Sequence, residues 1–254
     1  EQGLLRAAER CNGAGACRKS PGRGTMCPSY MATGEEIHST RGRANLLRQL
    51  LSSEDPHTAL SSDELAEAME LCLSCKGCAS ECPSSVDVAR MKAEFLQHHH
   101  DTHGTPLSSY VLGQFGRFAS MARFTPSMAS AFSNTGLAKK ILGVDARRVV
   151  PSFAAQTFTA WFASHTPHAN AGERGEVVLF VDEFTEYTDP AVGIAATEFL
   201  EAAGYTITAP SGLDSARTQI SKGLLRKARG AFERSLRVLH PFAEQGLPIV
   251  GLEP

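Results

Sequence analysis

The sequence predicts an all-α domain built around clustered cysteines, followed by an α/β domain with a parallel sheet that is cut short. Three observations predict it. All seven cysteines lie between Cys11 and Cys82. Up to about residue 104, helix-period apolar stretches alternate with the cysteine loops. From Gly175 on, the apolar pattern changes to strand–helix–strand–helix–strand, the signature of a parallel sheet with crossover helices. The expected divisions are a helical cysteine-bearing domain over 1–104, a helical connector over 105–170, and a partial α/β domain over 171–254.

The 254 residues suffice for one large or two small domains, and 42% hydrophobic residues are enough for a folded core. A formal net charge of −2 argues against nucleic acid as the main partner. No apolar run reaches the 18 residues of a transmembrane helix. The start, from Glu1 to Arg6, has neither a signal peptide nor an initiating Met, and the end, from Pro248 to Pro254, stops in a strand and its exit loop. Both ends predict a fragment of a longer protein. An odd number of cysteines, tightly clustered, fits metal ligation in a reducing cytoplasm better than a disulfide framework.

In order along the chain, residues 2–9 predict a short helix leading to Cys11. Residues 10–34 are Gly-rich and hold Cys11, Cys17 and Cys27. Ser39 and Thr40 can cap a helix from Arg41 to Leu51, with Leu46, Leu47, Leu50 and Leu51 as its apolar face. Pro56 breaks the chain; Ser61, Ser62 and Glu64 mark the next helix start, and Leu65, Met69 and Leu71 lead into Cys72. After Pro83, a helix is expected to about His98, with Val86, Val88, Met91, Phe95 and Leu96 apolar. Residues 105–166 predict short helices broken by Pro106, Pro126 and Pro151. Their aromatic residues, among them Phe118, Phe124, Phe132, Phe158 and Trp161, serve either internal packing or a docking face. Strands are expected over 176–182, 205–209 and 247–252, with helices over 190–203 and 222–244. No G-x-G-x-x-G follows the first strand, so no dinucleotide fingerprint is present.

The chemistry lies in the run C-L-S-C-K-G-C-A-S-E-C-P from Cys72 to Pro83. This is C-x2-C-x2-C-x3-C-P, the ferredoxin spacing for iron–sulfur ligation. Three thiolates at three-residue intervals wrap one cluster, and the fourth, before Pro83, turns away toward another. Zinc sites more often pair two C-x2-C units across a longer gap, so zinc and plain buried thiols are the weaker readings. A degenerate second run has Cys11, Ala14 and Cys17 at the template positions and Cys27-Pro28 as a displaced C-P end. In two-cluster ferredoxins the last cysteine of one run ligates the other cluster. Cluster one then takes Cys72, Cys75, Cys78 and Cys27, and cluster two takes Cys11, Cys17 and Cys82. Cluster one is expected as 4Fe–4S. Cluster two, lacking a thiolate at Ala14, is 4Fe–4S with another fourth ligand, or 3Fe–4S, or absent. The cysteine part is accordingly an α-helical ferredoxin-like domain.

Around the ligands, Gly13 and Gly15 either bring backbone N–H groups to sulfur or simply make turns. Arg18, Lys19 and Lys76 either raise cluster potential by their charge or are solvated. Arg41 and Arg43 either face a carboxylate or a flavin domain, or decorate a helix surface. His98, His99, His100 and His103 read as solvated residues at a helix end. Asp182, Glu183 and Glu186 sit at a strand exit, where α/β ligand sites form, and a solvated loop is the plainer expectation.

Several blocks resemble a known family: Cys11-Asn12-Gly13 with Cys17-Arg18, Gly24 to Thr33, His38 to Asn45, Leu71 to Pro83, Leu179 to Glu186, and Pro248 to Pro254. Together they are similar to the iron–sulfur half of FAD-linked 2-hydroxyacid dehydrogenases of the D-lactate and D-2-hydroxyglutarate dehydrogenase type, and to glycolate-oxidase-like iron–sulfur subunits. The resemblance implies an electron-transfer portion that takes electrons singly from FAD and passes them through iron–sulfur clusters to an acceptor such as a quinone or cytochrome. It places FAD in an upstream flavin domain, fused or separate, so no FAD site is expected here and this stretch alone is not expected to oxidise the hydroxy acid, while its catalytic residues stay unassigned. It also implies a cysteine-rich reductase-type sheet domain, yet no cysteine follows Cys82, and Gly212 to Ala216 stands where such a pair is expected. The expected location is the cytoplasm, with a peripheral place at the inner face of the membrane left open. The alternatives are a separate iron–sulfur subunit of a multi-subunit reductase and a non-redox, metal-stapled interaction module.

Overall fold

In the computed structural model, which describes residues 3–252, helices form where a capping side chain meets an apolar stripe. α1 (Gly3–Glu9) leads into Cys11, and α2 (Pro28–Thr33) starts on a proline directly after Cys27. A 3-10 turn (Glu36–His38) precedes α3 (Thr40–Leu51), whose cap Ser39 accepts the Gly42 N–H at 2.9 Å. α4 (Pro56–Ala59) is capped by Asp55, and α5 (Asp63–Glu70) by Ser62. α6 (Gly77–Glu81) lies inside the cysteine run, and α7 (Val88–His103) is capped by Asp87. The buried faces of α3, α5 and α7 meet through Leu47, Leu65, Met69, Val88, Met91 and Phe95, and Cys17, Cys27 and Cys78 belong to the same core.

The other elements follow the period change. α8 (Leu107–Gly113), α9 (Phe115–Ala122), α10 (Pro126–Ser133), α11 (Gly136–Leu142) and α12 (Phe158–Phe162) precede β1 (Glu176–Phe180). α13 (Glu183–Tyr187), α14 (Pro190–Ala202), β2 (Thr206–Thr208), α15 (Arg217–Ser221), α16 (Leu225–Glu244) and β3 (Ile249–Gly251) complete the chain. The sheet is parallel, in the order β2-β1-β3, with Val177 opposite Ile207 and Leu179 opposite Val250. β1 is central, so it is buried on both faces and reads as the continuous apolar run from Val177 to Phe180. Phe158, Val177, Leu179, Val181 and Ile207 form its core.

The described residues divide into two compact units. One comprises the chain up to Pro106 with Ser221–Leu225, and the other comprises Leu107–Ile220 with the chain from Arg226 onward. Ser221–Leu225 belongs with α7: a Cβ on Gly223, at φ +69°, would lie 2.2 Å from Leu96 Cβ. Of the connector aromatics, Phe158 packs in the core while Phe124 and Phe132 are exposed. α7 continues one turn past the expected end at His98. The expected helix start at residue 2 and the exit loop to Pro254 lie partly outside the described residues.

Candidate metal centre

Four of the seven cysteines line one cavity. Cys27, Cys72, Cys75 and Cys78 surround about 310 Å³ of empty space, its open mouth included, together with Thr40, Arg43 and Val88. Cys72 follows α5, and Cys78 lies in α6. Between them the chain turns through Ser74 and Lys76, both non-glycine residues with positive φ, 54° and 57°. Cys27 is also left-handed, at φ 57°, just before Pro28 opens α2. Such backbone costs about 1–3 kcal/mol per residue and persists where the surroundings over-determine it.

A side-chain clamp brings Cys27 to a run that starts 45 positions later. Glu81, inside that run, accepts the Thr25 N–H at 2.7 Å and the Thr25 hydroxyl at 2.5 Å, and pairs with Lys19. Lys19 and Thr25 hold the Glu81 carboxyl down at about 2. The Gly24 backbone passes so close that a Cβ there would lie 2.6 Å from Glu81 Oε2. Lys19 is therefore tied into this clamp, which neither expectation for it named.

Helix N-termini supply donors to three sulfurs. The Thr40 N–H donates to Cys27 Sγ at 3.0 Å, and Thr40 Oγ1 lies 2.8 Å from the same sulfur. The Val88 N–H, at the start of α7, donates to Cys78 Sγ at 3.4 Å. The Arg41 N–H donates to Cys17 Sγ at 3.4 Å. Burial raises the Cys27 and Cys78 thiols, while these donors and the helix dipoles pull toward thiolate.

Arg43 overturns both expectations made for it. It is 2% exposed, neither on a helix surface nor facing outward. Its guanidinium donates to Ala68 O at 2.6 Å, His38 O at 2.7 Å and Ser29 Oγ at 3.0 Å. Burial lowers its affinity for the proton, and the charges of Cys72, Cys27 and Cys78 offset part of that. Lys92 reaches the same region from α7 and donates to Cys72 O at 2.6 Å. Arg41 instead bonds Glu36 at 2.7 Å and Gly13 O at 3.2 Å, over the loop that carries Cys11 and Cys17. Lys76 pairs with Asp87 at 3.2 Å, and Arg18 bonds the Tyr30 hydroxyl at 3.1 Å.

Cys11, Cys17 and Cys82 all join the core of the cysteine-rich unit, Cys17 buried and the other two half-buried. Gly13 and Gly15 have positive φ, 78° and 71°, which fits the turn-making role. The Ala14 N–H donates to Asn12 Oδ1 at 3.1 Å. Among the described residues no three His, Cys, Asp or Glu side chains converge to hold a single metal ion.

The remaining candidates are dispersed. His100 is buried rather than solvated and bonds Lys222 O at 2.9 Å, while His99 stacks on His103. Asp182 and Glu183 are also buried, against the expected solvated loop. Asp182 caps α13 and pairs with Arg217 at 2.8 Å. Glu183 accepts the Ser215 N–H and hydroxyl, both at 2.9 Å, so the Gly212–Ala216 segment is fastened to the β1 exit. Glu186 accepts the Thr159 hydroxyl at 2.7 Å. Sequence reasoning missed Thr40, Glu81 and Lys92 as site residues; the position of Glu81 inside the cysteine run was the one available signal.

Four cysteines around one cavity, with N–H donors on the sulfurs of Cys27 and Cys78 and a cation beside them, fit an iron–sulfur cluster in both ligand type and number. Comparison with known proteins agrees on the class. Residues 7–86, which hold all seven cysteines, match the family model described as a 4Fe-4S dicluster domain. The chain thus carries an iron–sulfur domain of the two-cluster class. Along nearly its whole length it is homologous to D-2-hydroxyglutarate dehydrogenases. With the Escherichia coli (strain K12) protein of that name it is 28% identical over 294 residues, covering 98% of this chain and 29% of the relative. With the Pseudomonas putida protein of that name it is 27% identical, again over 98% of this chain. It is also similar to the glycolate oxidase iron-sulfur subunit of E. coli, 32% identical over 83 residues, which are 33% of this chain and 17% of that one. The chain spans about 29% of the length of the dehydrogenases it matches. No solved structure matches it.

Proposed function

We propose that this chain is the electron-transfer portion of an FAD-linked 2-hydroxyacid dehydrogenase of the D-2-hydroxyglutarate type. The observation that carries the reading is the single cavity lined by Cys27, Cys72, Cys75 and Cys78, with helix N–H groups donating to Cys27 and Cys78. These four would hold a 4Fe–4S cluster, and Cys11, Cys17 and Cys82 a second cluster, 4Fe–4S or 3Fe–4S. A bound cluster supplies one-electron redox chemistry, which splits the two-electron output of a flavin. The chain's own residues then have separable tasks. The clamp of Glu81 on Thr25 and Lys19 holds Cys27 against the later run. The starts of α3 and α7 present N–H groups to sulfur, favouring its anionic form. The core of Leu47, Met69 and Phe95 keeps water from the inner side of the site.

In this reading residues 1–104 form the ferredoxin-like two-cluster domain, 105–170 the connector, and 171–254 the reductase-type sheet domain. FAD sits in a flavin domain outside this stretch, so the stretch alone does not oxidise the hydroxy acid. The acceptor is a quinone, cytochrome or other carrier, and the setting is cytoplasmic. No helix among the described residues is long and apolar enough to cross a membrane. The similarity to the glycolate oxidase iron-sulfur subunit favours one second reading, a separate subunit that meets its flavin partner non-covalently.

Anaerobic purification with iron and sulfide analysis tests the proposal. The expected result is a brown protein whose broad visible absorption is bleached by dithionite. A colourless protein with stoichiometric zinc overturns it.

A further inference from the structure

Besides Lys76, which lines the cavity mouth and pairs with Asp87, two cations approach the four-cysteine site, Arg43 as part of its lining and Lys92 through the backbone of Cys72, and nothing in the clamp or the ligand set requires either to be charged. Arg43 lines the cavity and is 2% exposed. Lys92 donates to the carbonyl of the ligand residue Cys72 at 2.6 Å and to Glu70 O at 3.4 Å. Arg43 Nε donates to Ala68 O at 2.6 Å. Ala68, Glu70 and Cys72 mark the C-terminal end of α5, where unpaired carbonyls concentrate negative potential. That end abuts the cavity through Cys72. Without the cations, a partial negative charge would face a site that must take up negative charge at every reduction.

We propose that Arg43 and Lys92 are the redox-tuning residues of the four-cysteine site, setting how readily it accepts an electron by screening the α5 carbonyls and offsetting the added charge. The inference rests on the proposed function. One electron enters per reduction, from the reduced flavin, and leaves to the one-electron acceptor; no proton transfer is needed at either cation. The charge on each side chain is unchanged through the cycle, so its field favours the reduced state throughout. Burial strengthens the field of Arg43, because a charge in a low-dielectric interior is poorly screened, and the half-buried Lys92 acts at short range through the Cys72 carbonyl. Cys11 and Cys17 have a different cationic neighbour, Arg41, which is spent partly on Glu36. The effect of Arg43 and Lys92 is therefore local to one site.

The test is a potentiometric titration followed by EPR on the protein isolated anaerobically with its clusters. Lys92→Met keeps the apolar stem and removes the charge. It is expected to lower the midpoint of the signal that Cys75→Ser abolishes, and to leave the other midpoint where it was. Arg43→Gln is expected to lower the same midpoint, and Arg43→Lys to restore most of it at unchanged iron content. If Arg43→Gln does not fold, Lys92→Met decides the matter. An unchanged midpoint in Lys92→Met, or an equal shift in both signals, overturns the inference. Absence of any reducible cluster signal in the parent protein would instead overturn the proposed function.

Discussion

The backbone N–H of Thr40 donates to the sulfur of Cys27 at 3.0 Å. The next N–H in the chain, from Arg41, donates to Cys17 at 3.4 Å. Two consecutive peptide units at the start of α3 thus touch a member of each proposed ligand set. Ser39 holds that turn by capping Gly42.

Removing the Thr40 donors in steps separates their effects. Thr40→Val deletes the hydroxyl 2.8 Å from Cys27 Sγ and keeps the N–H. A loss of about 1 kcal/mol in unfolding free energy is expected. Thr40→Pro, at a helix position that tolerates proline, also removes the N–H and is expected to lose more. Equal melting of both variants and the parent, by circular dichroism, would show that these contacts contribute nothing.

Cys75 is exposed, so replacing it removes little packing. Cys75→Ser is nevertheless expected to lose the iron of the four-cysteine site and to lower the melting temperature of the helical unit, because cluster binding is coupled to folding. Unchanged iron and unchanged melting would refute Cys75 as a ligand.

Ala14 stands where the template of Cys11 and Cys17 calls for a third thiolate. Ala14→Cys is expected to convert the second site to four-thiolate ligation, with a changed EPR line shape and iron count. An identical spectrum would overturn the alignment of positions 11, 14 and 17.

Gly42 lets α3 abut the preceding 3-10 turn: a Cβ there would lie 2.0 Å from Glu36 O. Gly42→Ala should destabilise by at least ~1–3 kcal/mol, the usual cost of overpacking, although alanine is the better helix former. Denaturant unfolding decides it; a more stable variant would show that the contact relaxes freely.

Burial pushes the Glu183 carboxyl above its ordinary value of 4.5, against the bonds from Ser215. Between the unfolded and the folded value, the folded state keeps a proton that the unfolded state has released. Stability therefore falls as pH rises from the ordinary carboxyl range through the folded value. Glu183→Gln cannot titrate, so it should gain on the parent as pH rises from about 4 to about 8. A stability difference that stays constant over that range would sink the assignment.

Much of the local structure was legible. Ser39 and Ser62 announced α3 and α5 because a cap and an apolar stripe are both near-neighbour signals. The continuous run from Val177 announced a buried strand because β1 is covered on both sides. Arg43 was not legible. Its burial depends on acceptors from His38, Ser29 and Ala68, and no local period encodes their convergence. Glu183 misled for a related reason: a carboxylate at a strand exit is solvated unless another segment delivers donors, and Ser215 does so from 32 residues away.

By itself, the sequence determined the cysteine inventory: seven cysteines in one complete and one degenerate run, and a parallel sheet after them. Thiolate spacing and strand periodicity are properties of neighbouring residues, so they are written locally. The tertiary structure alone decided what surrounds these cysteines. It set the Glu81 clamp on Thr25, the α3 N–H groups on Cys27 and Cys17, the buried charge of Arg43 and the half-buried charge of Lys92. Those contacts join residues that the local sequence pattern does not pair, and the charge of Arg43 gains its strength from the low-dielectric interior that only folding creates.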